Sequence, residues 1–298
     1  MPSQPATEPP PHLVDQLIRE RAPRLFGAAP SRWLMRRFLY PVLGYEEAVR
    51  IADAVAPLSG RAAMALLRRE LGLEVAVHGL EHVPRRGRLM IVANHPTGLA
   101  DGVALWQALA ERRPDLRLFV NRDALRVVPS CADLFIPVEW VKTKRTHAGS
   151  REVFRLTAAA FRDEAALVMF PSGRLAYLGP AGIRERPWLP TPINLARKHH
   201  APILPLHIEA QNSALFYGLS QLSRELRDVT LFHELLNKRG RRFEVRIGPP
   251  LNPASLPPDP AAAIADLQRY VESGLAADRE PGRPMAEVRR ARERVGTL

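Results

Sequence analysis

From about residue 72 the chain repeats one texture: a short apolar run, a polar break, a stretch of helical periodicity, then another apolar run. The runs are Leu89-Met90-Ile91-Val92-Ala93, Leu116-Arg117-Leu118-Phe119-Val120, Leu134-Phe135-Ile136-Pro137-Val138, Ala165 to Phe170, and Pro202 to Ile208. Runs of this length, rich in Val, Ile, Leu and Phe and bounded by turn residues, read as buried strands. Leu73 to His78 and Phe243 to Gly248 alternate instead, as half-exposed strands do. Helical periodicity covers 102–112, 149–163, 191–199 and 259–275. Strands alternating with helices leave few architectures, and the expected fold class is α/β, a mixed and mainly parallel sheet flanked by helices. Pro205 argues against its own run, because proline donates no ladder hydrogen bond.

Ahead of the first strand, helical segments are expected at about 12–22, 31–40, 45–56 and 60–71. The expected organisation is a disordered proline-rich lead over 1–11, an N-terminal helical segment over 12–72, an α/β domain over 73–250, and a C-terminal helix with a charged tail over 251–298. A chain of 298 residues can bury a substantial single core. The lead lacks the apolar centre of a signal peptide, and no stretch approaches the roughly 20 apolar residues of a membrane span. The expectation is therefore a cytoplasmic protein, soluble or lying on a membrane face. Ser31 to Tyr40 sets arginines among Trp33, Leu34, Phe38 and Leu39. That mixture suits a helix in a lipid interface, and equally one that packs its apolar face on the core.

Lys plus Arg number 43 against 31 Asp plus Glu, a net charge of +12. Such a surface attracts phosphates, whether in nucleic acid, on anionic lipid or on a small substrate. No aromatic-interleaved platform, zinc-finger spacing or glycine-arginine tract points to nucleic acid. The single cysteine, Cys131, excludes an intramolecular disulfide and fits a reducing compartment. His78-Gly79-Leu80-Glu81-His82 spells an inverted zinc-protease motif, but it lies between two strands rather than on a helix that would present both histidines together. Ser172 lacks the G-x-S-x-G turn of a hydrolase nucleophile. Lys142, Lys144 and Arg145, like His199 and His200, read as surface charge.

Three strand ends carry functional side chains: Ala93 is followed by Asn94-His95, Val120 by Asn121-Arg122, and Phe170 by Pro171-Ser172-Gly173-Arg174. Ligands of open α/β sheets bind just beyond the carboxyl ends of the strands. His95 and Asp101 stand six positions apart in Asn94-His95-Pro96-Thr97-Gly98-Leu99-Ala100-Asp101-Gly102. A straight helix or strand would separate them, whereas a turn through Pro96 and Gly98 could fold the imidazole onto the carboxylate. Such a pair fixes the ring tautomer and leaves the other nitrogen to accept a proton. The plainer alternative is that Asp101 caps the following helix. Arg122 and Arg174 suit an acceptor phosphate, and the Ser172-Gly173 backbone allows an oxyanion to approach closely.

The segments NHPTGLADG, FVNR and FPSGR, in that order, resemble the first three blocks of the glycerolipid acyltransferase family, and Pro202-Ile203-Leu204-Pro205 resembles its fourth. NSALFYGLS with ELLNKRG is similar to a bacterial branch containing hemolysin-like proteins and lyso-ornithine-lipid acyltransferases. The resemblance spans roughly 73–250. It implies transfer of a fatty acyl group from acyl-CoA or acyl-carrier protein to the hydroxyl of a lysophospholipid such as 1-acylglycerol-3-phosphate. His95 is then the base, Asp101 its orienting partner, and Arg122 and Arg174 part of the acceptor site. Asn94, Thr97, Gly98, Ser172 and Gly173 complete the expected substrate-binding set. Expected partners are the lysophospholipid, the acyl thioester and an anionic membrane surface on the inner face, with no cofactor or metal. Two alternatives stand beside this: lyso-ornithine lipid as acceptor, and a non-catalytic basic module that sits on lipid.

Overall fold

A computed structural model describes residues 11–27, 29–139, 142–180 and 182–277. The lead through residue 10 and the charged tail beyond Arg279 lie outside the described residues. Seven strands form the main sheet: β1 Glu74–His78, β2 Leu89–Ala93, β3 Leu116–Asn121, β4 Phe135–Val138, β5 Ala166–Met169, β8 Ile203–Glu209 and β9 Arg242–Ile247, with β6 Tyr177–Gly179 and β7 Gly182–Arg184 forming a separate hairpin. The order across the sheet is β1-β9-β8-β2-β5-β3-β4. Every neighbouring pair is parallel except β8 with β9, so β1 and β9 run against the other five. This is the mixed, mainly parallel sheet that the alternation of runs implies.

Period-two alternation sorts the central strands between two apolar layers. Leu89, Ile91 and Ala93 of β2 face one layer with Ala166 and Val168 of β5 and Leu204 and Leu206 of β8. That layer is closed by the helices Gly60–Leu71 and Leu99–Leu109. Met90 and Val92 face the other, with Leu167, Met169 and the helices His147–Arg162, Thr191–His199 and Pro260–Arg269. All five residues of β2 are fully buried, so the strand that leads into His95 is the centre of the molecule. A third cluster joins Val14, Ile18, Phe26, Tyr40 and Ala52 of the N-terminal helices to Val229.

Pro205 lies inside β8 despite its missing N–H. Its carbonyl accepts from Gly248 N at 2.9 Å, so the proline nitrogen faces the side on which the β9 ladder has just ended, not β2. The turn ahead of β2 is gathered by Arg113, a fully buried guanidinium that donates to Pro84 O, Gly87 O and Glu164 O and pairs with Asp115 at 2.6 Å. Ser31 to Tyr40 is not one α-helix. It runs from Ala29–Leu34 into a wide π turn over Met35–Leu39, in which Tyr40 N donates to Met35 O. Pro41 cannot donate to the preceding turn and its ring crowds the carbonyl there.

Candidate active site

The loop after β2 is built before it is functional. Asn94, buried, clamps it to β8: its Nδ2 donates to Ile208 O at 2.9 Å and its Oδ1 accepts from Ile208 N at 2.7 Å. Asn212 Nδ2 holds Pro96 O, and Ala176 N holds His95 O at 3.1 Å. The chain then reverses at Gly98, whose φ of 96° is open to glycine and strained for other residues.

The reversal brings His95 Nδ1 to 2.9 Å from Asp101 Oδ2. The same oxygen accepts from the Thr97 and Gly98 amides at 2.9 Å each, while the Thr97 hydroxyl donates to Oδ1 in a short hydrogen bond. Asp101 is fully buried and sits in the first turn of the helix Leu99–Leu109, with Gly98 as N-cap. The capping reading and the orienting reading are therefore the same contact set, because the carboxylate that reaches back to the free amides also takes the imidazole. A carboxylate surrounded by donors can only accept, which assigns the ring proton to Nδ1 and the lone pair to Nε2. One face of the ring stacks on Phe170, centroids 4.1 Å apart and planes 19° apart, and the side chain remains about one-fifth exposed.

The expected substrate-binding residues divide. Asn94, Thr97 and Ser172 are buried with their polar atoms engaged inside the loops, Ser172 Oγ donating to Arg174 O at 2.7 Å. Gly98 and Gly173, φ 60°, make the turns. Arg174 stands at the end of the β5 loop, where partial burial and the like charges of Arg224, Arg186 and Arg227 push its guanidinium below the usual range. Arg122 pairs with Glu152 at 2.9 Å, both side chains about two-fifths exposed. Lys144 is exposed and Arg145 Nε donates to Glu139 O at 3.0 Å; the Lys142 side chain lies outside the described residues. His78 ends β1 and His82 Nδ1 pairs with Ile247 O at 2.8 Å, Gly79 turning the chain between them at φ 78°. Burial, with help from Asp133, pushes the Cys131 thiol up to about 11.

Two neighbours of His95 were not foreseen. Phe170 reads in sequence as the last residue of a strand. Glu185, between Arg184 and Arg186, is partly buried, accepts from the His95 amide in a short hydrogen bond, and accepts from Trp188 Nε1 at 2.6 Å. The His95 to Glu185 contact joins residues ninety positions apart, and no local pattern carries it.

A lyso-glycine lipid O-acyltransferase of Phocaeicola vulgatus is 31% identical over 188 residues, which cover 61% of this chain and 65% of that protein, just under two thirds of its length. A lyso-glycine lipid O-acyltransferase of Bacteroides thetaiotaomicron is 24% identical over 80% of this chain and 87% of that protein. The crystal structure of the 1-acyl-sn-glycerophosphate acyltransferase PlsC from Thermotoga maritima aligns with a TM-score of 0.48 at 16% identity, covering 89% of this chain and 95% of that one. The sequence profile described as acyltransferase matches residues 16–272, nearly the whole described chain, and the protein belongs to that acyltransferase family.

Proposed function

We propose that the protein is a lysolipid O-acyltransferase that takes its acyl group from a thioester, acyl-CoA or acyl-carrier protein. His95 Nε2 removes the proton from the acceptor hydroxyl, and that oxygen attacks the thioester carbonyl. The new C–O bond forms, the C–S bond breaks, and the leaving thiolate takes the proton back from the imidazolium. Asp101 holds the productive tautomer and stabilises the cationic ring. The observation that carries this reading is the closed Nδ1 to Asp101 contact on a side chain that is still about one-fifth exposed. A buried thiol with a raised pKa and a serine whose hydroxyl is engaged by Arg174 O favour direct attack over an acyl-enzyme.

The cations grouped about Arg174 suit an anionic headgroup. The names of the two bacterial relatives put a lyso-amino-acid lipid first as acceptor, with 1-acylglycerol-3-phosphate as the alternative. Exposed Trp33, Leu34, Phe38 and Val42 on the segment that also carries Arg36 and Arg37 support contact with an anionic membrane surface, on its inner face. Among the described residues no helix is long and apolar enough to cross a membrane.

The test is release of free thiol from acyl thioesters against lyso-glycine lipid, lyso-ornithine lipid, lysophosphatidate and glycerol 3-phosphate. The reading expects thiol release that depends on one of the lysolipids and vanishes in His95→Ala. A basic module without activity would bind anionic vesicles and release no thiol from any pair.

A further inference from the structure

Behind the main chain of His95 lies a partly buried carboxyl group that the reaction above does not use. Glu185 follows β7, and its Oε1 takes the His95 backbone N–H while its Oε2 takes Trp188 Nε1–H. Trp188, buried, is fixed in turn: its backbone N donates to Gln268 Oε1 at 2.9 Å. Gln268 Nε2 donates to Arg186 O at 3.2 Å and to Glu272 Oε1 at 2.7 Å. A continuous set of hydrogen bonds thus runs from the helix Pro260–Arg269 and the turn after it, through the 185–188 segment, to the amide of His95.

Both groups that satisfy Glu185 are neutral N–H donors. A carboxylate partly withdrawn from water, with no cation at hydrogen-bond distance, is a costly choice for a purely structural support. We propose that Glu185 is a positioning residue for His95, its carboxylate anchoring the main chain of the base so that the imidazole stays between Phe170 and Asp101. The proposal rests on the reading of His95 as the base.

The chemistry of the contact sets what a test should see. Two N–H groups converge on one carboxyl, and the ionised form accepts both, whereas an amide or a protonated carboxyl turns a donor toward one of them. Burial pushes the Glu185 carboxyl up to about 7; the hydrogen bonds from His95 and Trp188 and the charge of His95 oppose that rise, and Glu272 adds to it. The ordinary Glu value is about 4.3, so the form that fits the site is populated only as the pH rises through about 7. On the acid side, kcat/KM should therefore carry a rise that belongs to Glu185.

The experiment is steady-state thiol release by the purified full chain from about pH 5 to about pH 9, which brackets that rise. Glu185→Gln is expected to lower kcat about 10- to 100-fold with KM nearly unchanged, as displacement of a reacting group does, and to remove the part of the acid-side rise that belongs to Glu185. Glu185→Asp keeps the charge and should keep that part at reduced kcat. Trp188→Phe removes a donor that favours the ionised carboxyl, so the Glu185 midpoint should move to higher pH. If Glu185→Gln does not fold, the direction of that Trp188→Phe shift decides. Wild-type kcat with an unchanged acid side in Glu185→Gln, or an unmoved midpoint in Trp188→Phe, overturns the proposal. An active His95→Ala would instead overturn the base assignment, and the two failures are distinguishable.

Discussion

Asp101 does two jobs with one group. It satisfies the Thr97 and Gly98 amides that a helix start leaves unpaired, and it takes the Nδ1 proton of His95. Replacement by asparagine keeps the size but turns an amide NH₂ toward these donors, and it no longer specifies the tautomer. Asp101→Asn should therefore lower kcat by about 10⁴, the loss seen when a catalytic triad loses its carboxylate, and lower the melting temperature as well, read by thiol release and calorimetry on one preparation. Loss of stability with full activity would separate the capping role from the orienting one. At this scale the sequence was informative where spacing is local. Six positions with a proline and a glycine between them were enough to expect the His95 to Asp101 contact, whereas Phe170 and Glu185 reach the ring only through tertiary packing. Asn94 and Thr97, expected at the substrate, hold the loop, because a buried polar side chain beside free backbone groups pairs with those first.

At the scale of elements, the position of the His95 ring follows from the burial of β2 and the turn that ends it. Gly98 is the pivot: φ is 96°, and a Cβ there would lie 3.0 Å from Leu175 Cδ2. Gly98→Ala meets both a strained backbone and a close neighbour, and should destabilise the fold by more than about 1 kcal/mol while lowering kcat more than it raises KM. Denaturant unfolding and steady-state kinetics check this, and an alanine variant of native stability and kcat would show that the turn is not the pivot. The seven strands of the main sheet were legible to within a residue or two because apolar runs bounded by turns are a strong signal, whereas the short hairpin strands Tyr177–Gly179 and Gly182–Arg184, which lie outside any apolar run, were not. The helix after His95 begins at Leu99 rather than 102, since Asp101 caps from inside the first turn. The expected helix 259–275 is regular to Arg269 and then widens into a π turn over Tyr270–Leu275, a change of pitch that hydrophobic periodicity does not register.

On the scale of the whole molecule, the N-terminal helices share a core with Val229, while Trp33 and Phe38 of the same region stand 62% and 56% exposed. Both readings open for Ser31 to Tyr40 keep a part of the segment: Tyr40, with Met35 and Leu39, packs on the core, while Trp33 and Phe38 face away from it. Trp33→Ser with Phe38→Ser should lower partitioning onto anionic vesicles by about tenfold or more, given about 1.5–3 kcal/mol for a large apolar side chain, and leave thiol release with a detergent-dispersed acceptor unchanged. Equal vesicle sedimentation of the double variant and the parent would place the membrane contact elsewhere. Fold class was legible from strand and helix alternation alone; which strand lies at the centre was not, because the β8 and β9 pairing that sets the order is made between distant segments. The central claim remains the ring nitrogen opposite Asp101. Its most direct test is the rate of thiol release by His95→Ala, compared with the parent at equal melting temperature. The account predicts a fall of at least about 10² to 10⁴, and a folded variant that turns over at the parental rate would contradict it.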